Sequence, residues 1–113
     1  MSPDAAVRQV GTVAIVDMTG RFTIGEGCDL LRDALKELLD SGHKHILLSL
    51  KGVTYIDSSG LGQLASCYVT TSRMGGQLKI LHAQGKVQDL LQITRLFTVL
   101  VAFSDEDEAI RSF

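Results

Sequence analysis

An α/β fold on a largely parallel sheet is what this sequence predicts, and three observations predict it. Apolar runs of strand length alternate with segments of helical period, in the order β-β-α-β-α-β-α-β-α. Strands separated by helices pair in parallel through right-handed crossovers. Only the first two are joined tightly enough for an antiparallel hairpin. The hydrophobic fraction is 45% with no Trp, so the core is aliphatic and suits buried strands covered by helices.

Residues 7–10 and 13–18 read as the hairpin strands, with Gly11-Thr12 as the turn and Thr19-Gly20 as the end of the second strand. Residues 21–27 read as a loop containing Gly25 and Gly27. From Cys28 the period changes. Leu30, Leu31, Ala34, Leu35, Leu38 and Leu39 share one helical face, with Asp33, Lys36, Glu37 and Asp40 opposite. Gly42 is a natural C-cap. The apolar run 45–50 is a strand, Lys51-Gly52 turns the chain, and 53–56 leads into Asp57-Ser58-Ser59-Gly60-Leu61-Gly62. A second helix is expected over about 59–74. Leu61, Leu64, Ala65, Tyr68 and Val69 form its apolar stripe, and Gly75-Gly76 ends it. Residues 78–82 read as a strand and 86–93 as a helix with Val87, Leu90 and Leu91 inward; 99–103 is the last strand. Ser104 can cap a short C-terminal helix, with Asp107 at the capping-box position and an acidic first turn that suits the helix dipole.

At 113 residues the chain is expected to be one domain over 1–113, large enough to need no disulfide or metal staple. A formal charge of −2 without a long basic run argues against direct nucleic-acid binding, which needs a Lys/Arg stripe. Cys28 and Cys67 lie far apart, form no CxxC, and read as reduced thiols of a cytoplasmic protein. No apolar stretch approaches the ~18 residues of a membrane span, and Met1-Ser2-Pro3-Asp4 lacks the features of a signal peptide.

Candidate chemistry concentrates between Asp57 and Gly62. Gly60-Leu61-Gly62-Gln63-Leu64-Ala65 fits the G-x-G-x-x-A dinucleotide fingerprint, but no acidic residue stands about 20 positions on to hold a ribose. Small residues that let a helix start pack close to a sheet explain the same pattern. Neither Ser58 nor Ser59 has the flanking glycines of a nucleophile elbow. His43, His45 and His82 form no pairing with a carboxylate that spacing supports, and no ligand pair has metal-site spacing. What remains is a capped helix N-terminus with more polar groups than capping needs. One serine suffices as a cap; Ser59 is expected to fill that role, leaving Ser58 as an exposed hydroxyl. The dipole and free N–H groups there tolerate a phosphate.

Asp57-Ser58-Ser59-Gly60-Leu61-Gly62, then Gly75-Gly76-Gln77-Leu78, then Leu90-Leu91-Gln92-Ile93-Thr94-Arg95-Leu96-Phe97, together resemble the STAS domain of bacterial anti-sigma factor antagonists, over essentially the whole chain. The resemblance implies a βα superhelix, a mixed and mostly parallel sheet with helices mainly on one face. It implies a cytoplasmic switch without enzymatic activity or cofactor. Unphosphorylated, such a protein binds an anti-sigma factor that is also a serine kinase, and so frees a sigma factor. The kinase switches it off by phosphorylating the serine after the motif Asp, here Ser58, and a PP2C-type phosphatase restores it. Asp57, Ser59 and Gly60 would shape the turn and contact the kinase. Where family members often read Gly, acidic, apolar, Asp after the second strand, this chain has Gly20-Arg21-Phe22-Thr23. Arg21 and Thr23 therefore join the expected partner-binding set and bear on which partner is recognised. With this loop expected near Ser58, Arg21 is also the cation that would reverse the sign of the phosphate's effect by pairing with it. The alternative that the resemblance carries is a peripheral STAS subunit of a membrane lipid or anion transporter.

The switch can be sized. A phosphate adds about −1.5 to −2 charge. Burying it unpaired in an interface costs several kcal/mol, and about 4 kcal/mol weakens binding roughly a thousandfold.

Overall fold

The computed structural model describes residues 3–113, the side chain of Phe97 excepted. Met1 and Ser2, part of the start read above as lacking a leader, lie outside the described residues. The order of elements is β1 (Asp4–Val10), β2 (Val13–Phe22), α1 (Glu26–Asp40), β3 (His45–Ile56), α2 (Ser58–Arg73), β4 (Gln77–Leu81), α3 (Gly85–Ile93), a 3₁₀ turn (Leu96–Thr98), β5 (Ala102–Phe103) and α4 (Glu106–Arg111). The sheet order is β1-β2-β3-β4-β5. The β1–β2 hairpin is antiparallel, and every later pair is parallel, as the alternation of elements requires.

Alternation along the strands divides the core into two layers. Ala14, Val16, Met18, Ile46, Leu48, Leu50, Leu78 and Ile80 pack with Leu31, Leu35 and Leu38 of α1, Leu61 and Leu64 of α2, and Val87 and Leu91 of α3. On the other face Val13, Ile15, Leu47 and Leu81 meet Ala109 of α4, with Phe103, Ile110 and Phe113 half-buried around them. Three helices thus share one face and α4 alone lies on the other, as expected. Arg8 of β1 holds α4 from the flank. It pairs with Asp17 at 2.7 Å and with Glu106.

The largest departure from the sequence reading is at 51–56. Lys51-Gly52 does not turn the chain. β3 runs unbroken for 12 residues, and β2 likewise passes through Thr19-Gly20 to Phe22. The β2–β3 register slips after Asp17 and again after Gly20, so both dipeptides sit at irregularities within the strand pair, not at its ends. A glycine there permits close approach. A Cβ on Gly52 would lie 2.6 Å from Thr19 Cγ2 and 3.1 Å from Met18 O. β4 pairs with β3 only over His45 to Ser49. β1 stays paired with β2 as far as Thr19; beyond it β2 and β3 continue as a two-stranded arm that pairs Gly20 with Val53 and ends at Phe22 with Ile56.

Smaller departures concern ends and faces. α1 begins at Glu26, not Cys28, which shortens the predicted loop to Thr23-Ile24-Gly25. In α2 the buried face is Leu61, Leu64, Cys67 and Thr71, while Val69 is exposed. The Thr71 hydroxyl is satisfied by donating to Cys67 O at 2.7 Å, which is why a polar residue can occupy that face. The last strand is only two residues long. Asp105, not Ser104, caps α4, accepting from Glu108 N at 3.1 Å.

Candidate functional site

The arm delivers the Asp57 turn. Phe22 and Ile56 end it as register partners, and Asp57 N donates to Phe22 O at 3.4 Å. Asp57 has extended backbone and is the N-cap of α2. Its Oδ1 accepts from Gly60 N at 2.8 Å, and its Oδ2 accepts from Ile24 N at 3.1 Å. One carboxylate therefore ties the start of α2 to the β2–α1 loop. These backbone donors, Gly60 first, hold its pKa below the ordinary carboxylate value despite some opposing desolvation. The expected assignment of the cap to Ser59 is corrected here. Asp57 caps, because its longer reach and two oxygens serve two backbone segments at once.

Ser58 and Ser59 then occupy the first two helical positions of α2. Ser58 is exposed and Ser59 half-buried. Gly60 is buried under the arm. A Cβ there would collide with Phe22 O and stand 2.7 Å from Ile56 Cγ1. Gly27, at the start of α1, is excluded from a side chain in the same way, since its Cβ would lie 2.7 Å from Arg21 O. The two helix starts crowd against the tip of the arm, and only glycine fits at either contact.

Arg21 and Tyr55 face each other across the arm. The Arg21 guanidinium lies over the Tyr55 ring, 4.7 Å from its centroid, a cation–π geometry. Thr23 supplies its carbonyl to Cys28 N at 3.2 Å and so starts α1. Of the residues singled out from sequence, Asp57 bonds directly to the backbone of Gly60 and Ile24. Arg21 approaches through Tyr55, while Thr23 acts in the described contacts through its backbone.

Between the α2 start and α3 lies an open cleft of about 570 Å³, lined by Tyr55, Ile56, Asp57, Ser58, Leu61, Lys86, Asp89 and Leu90. Ile56 and Leu61 are buried and Leu90 half-buried, so the floor is apolar and the rim charged, a form suited to receiving an apolar side chain of a partner. Lys86 and Asp89 were not foreseen as site residues. Their only sequence signal is a place on the face of α3 next to the inward Leu90, which says nothing of what that face meets. Beneath α1 and α2, Cys28 and Cys67 are buried and free. Burial pushes both thiols up, so they stay protonated at neutral pH. Among the described residues no cluster of three or more His, Cys, Asp or Glu side chains could hold a metal ion, and no helix is long and apolar enough to cross a membrane.

The STAS domain family model matches residues 4–109. The anti-sigma F factor antagonist of Paenibacillus polymyxa is 30% identical over 99 residues, 87% of this chain and 84% of that protein. The crystal structure of a candidate anti-sigma factor antagonist from Thermotoga maritima superposes with a TM-score of 0.87 at 26% identity, over 96% of this chain and 92% of that one. A sulfate transporter family protein from Wolinella succinogenes, 21% identical with a TM-score of 0.72 over 91% of this chain and 85% of that one, shares the fold alone. The cap, the glycine contacts and the arm are thus found on a chain that belongs to the STAS domain family.

Proposed function

We propose that this protein is an anti-sigma factor antagonist, a binding module and not an enzyme, switched by phosphorylation of Ser58. The observation that carries the reading is the placement of Ser58. It is an exposed hydroxyl at the first helical position of α2, on the rim of an apolar-floored cleft. The capping work is already done by Asp57. The match in length and sequence to an antagonist supports the same reading. The surface that binds the anti-sigma factor comprises Asp57, Ser58, Ser59 and Gly60 with Arg21 and Thr23, within one domain over 1–113. The partner is a cytoplasmic anti-sigma factor with serine kinase activity. The Ser58 oxygen attacks the γ-phosphorus of the kinase's ATP, ADP leaves, and the hydroxyl proton is lost. A PP2C-type phosphatase hydrolyses the phosphoester to restore the free form.

Incubation with the cognate kinase and ATP, read by intact mass and peptide mapping, tests the assignment. One phosphate on Ser58 is expected, none on Ser58→Ala, and Ser58→Ala keeps partner binding while Ser58→Asp weakens it. A phosphate that maps elsewhere overturns the site. Co-purification with a permease and not with a soluble kinase overturns the function.

A further inference from the structure

Lys86 stands in the first turn of α3 and lines the same cleft as Ser58. That position opposes the helix dipole, whose positive end disfavours a cation. The first turn of α3 contains no acidic residue, and Gln84 before it makes no side-chain cap bond. Among the described residues no salt bridge involves Lys86. The acidic groups lining the cleft are Asp57 and Asp89, and each oxygen of Asp57 already accepts from a backbone N–H. Arg21, the cation expected from sequence, lies over Tyr55 and does not line the cleft. Lys86 is the cation that does. A flexible ammonium held against a dipole, lining the same cleft as the hydroxyl proposed to carry a phosphate, is arranged for the charge that arrives on modification.

We propose that Lys86 receives the phosphate of phosphorylated Ser58, tying the start of α3 to the start of α2 and closing the cleft to the partner. This rests on the reading of Ser58 as the modified residue. Pairing with an ammonium favours the dianion, so the second ionisation of the phosphate, ordinarily near about pH 6, moves down. A phosphate that merely projects into solvent keeps its ordinary value.

The test uses the full chain with phosphoserine installed at position 58 during translation, so that no kinase is needed. Its phosphorus-31 resonance is titrated at low salt in the wild-type background and in Lys86→Ala, Lys86→Gln, Lys86→Arg and Arg21→Ala. In Lys86→Ala and Lys86→Gln the midpoint is expected to rise by roughly half a pH unit. Lys86→Arg and Arg21→Ala keep the wild-type value, and the difference shrinks in high salt. An unchanged midpoint in both Lys86→Ala and Lys86→Gln overturns the proposal, as does a shift that follows Arg21→Ala instead. If a kinase fails to modify Ser58, the switch fails without touching this titration. An unchanged titration removes Lys86 and leaves the kinase result standing.

Discussion

Gly60 and Gly62 lie two residues apart in α2, and replacing each by alanine is expected to have opposite consequences. Both substitutions gain helix propensity, about 1 kcal/mol relative to glycine in a helix interior. At Gly62 nothing lies within 4 Å of the added Cβ, so Gly62→Ala is expected to stabilise by most of that amount. At Gly60 the added Cβ collides with Phe22 O and stands 2.7 Å from Ile56 Cγ1. Overpacking of this kind costs typically about 1–3 kcal/mol. The upper end applies because the nearest neighbour is backbone, and that carbonyl also accepts from Asp57 N. The net expectation for Gly60→Ala is a loss of about 1–2 kcal/mol, and a gap between the two variants of roughly 2–3 kcal/mol. Urea unfolding at constant m-value reads the difference directly, and it corresponds to roughly 10 °C in Tm for a domain of this size. Equal stability of the two variants, or a Gly60→Ala protein more stable than wild type, would refute the reading that Gly60 is glycine because the arm leaves no room for a Cβ.

Further outcomes are expected from the charged groups. The carboxylate of Asp57 has a lowered folded-state pKa, so its contribution to stability is present above the unfolded value of about 3.9 and is lost as pH falls through the folded value. Asp57→Asn should therefore be less stable than wild type at neutral pH and converge with it in acid; parallel profiles down to the acid limit would argue against a carboxylate stabilised by the backbone donors of Gly60 and Ile24. Arg8 joins Asp17 and Glu106 at the surface, and hydrogen bonding to Arg8 likewise lowers the pKa of Glu106. Arg8→Ala is expected to cost less than about 1 kcal/mol overall but to raise amide exchange selectively in α4. Uniform exchange across the sheet would show that the ion pairs do not anchor that helix. A Thr71→Val substitution removes the donor to Cys67 O without leaving a buried hydroxyl unpaired. It should shift urea stability by under about 1 kcal/mol, whereas a several-fold larger loss would mean the hydroxyl is bound elsewhere too.

The order of elements, the hairpin and the parallel pairing were legible in the sequence, because they follow from local periodicity and from the chirality of crossovers, which act over a few residues at a time. The placing of helices mainly on one face was legible only through the family resemblance. The Asp57-Ser58-Ser59-Gly60 turn was legible from local pattern. The division of labour within it was not. Asp57 caps α2 through Gly60 N, a local bond that the expectation of a Ser59 cap passed over; its second oxygen accepts from Ile24 N, distant in sequence, and no local pattern encodes that meeting. Lys51-Gly52 and Thr19-Gly20 carry turn chemistry by composition, yet both lie inside strands, since the pairing of β2 with β3 absorbs them as register slips. By itself the sequence determined which segments form strands and helices and that one helix start displays two serines. The tertiary structure decided what surrounds them. The arm brings Arg21 to Tyr55, and α3 brings Lys86 to the cleft that Ser58 also lines. Those contacts join residues far apart in the chain, and such pairings are set by packing in three dimensions, not by spacing along one.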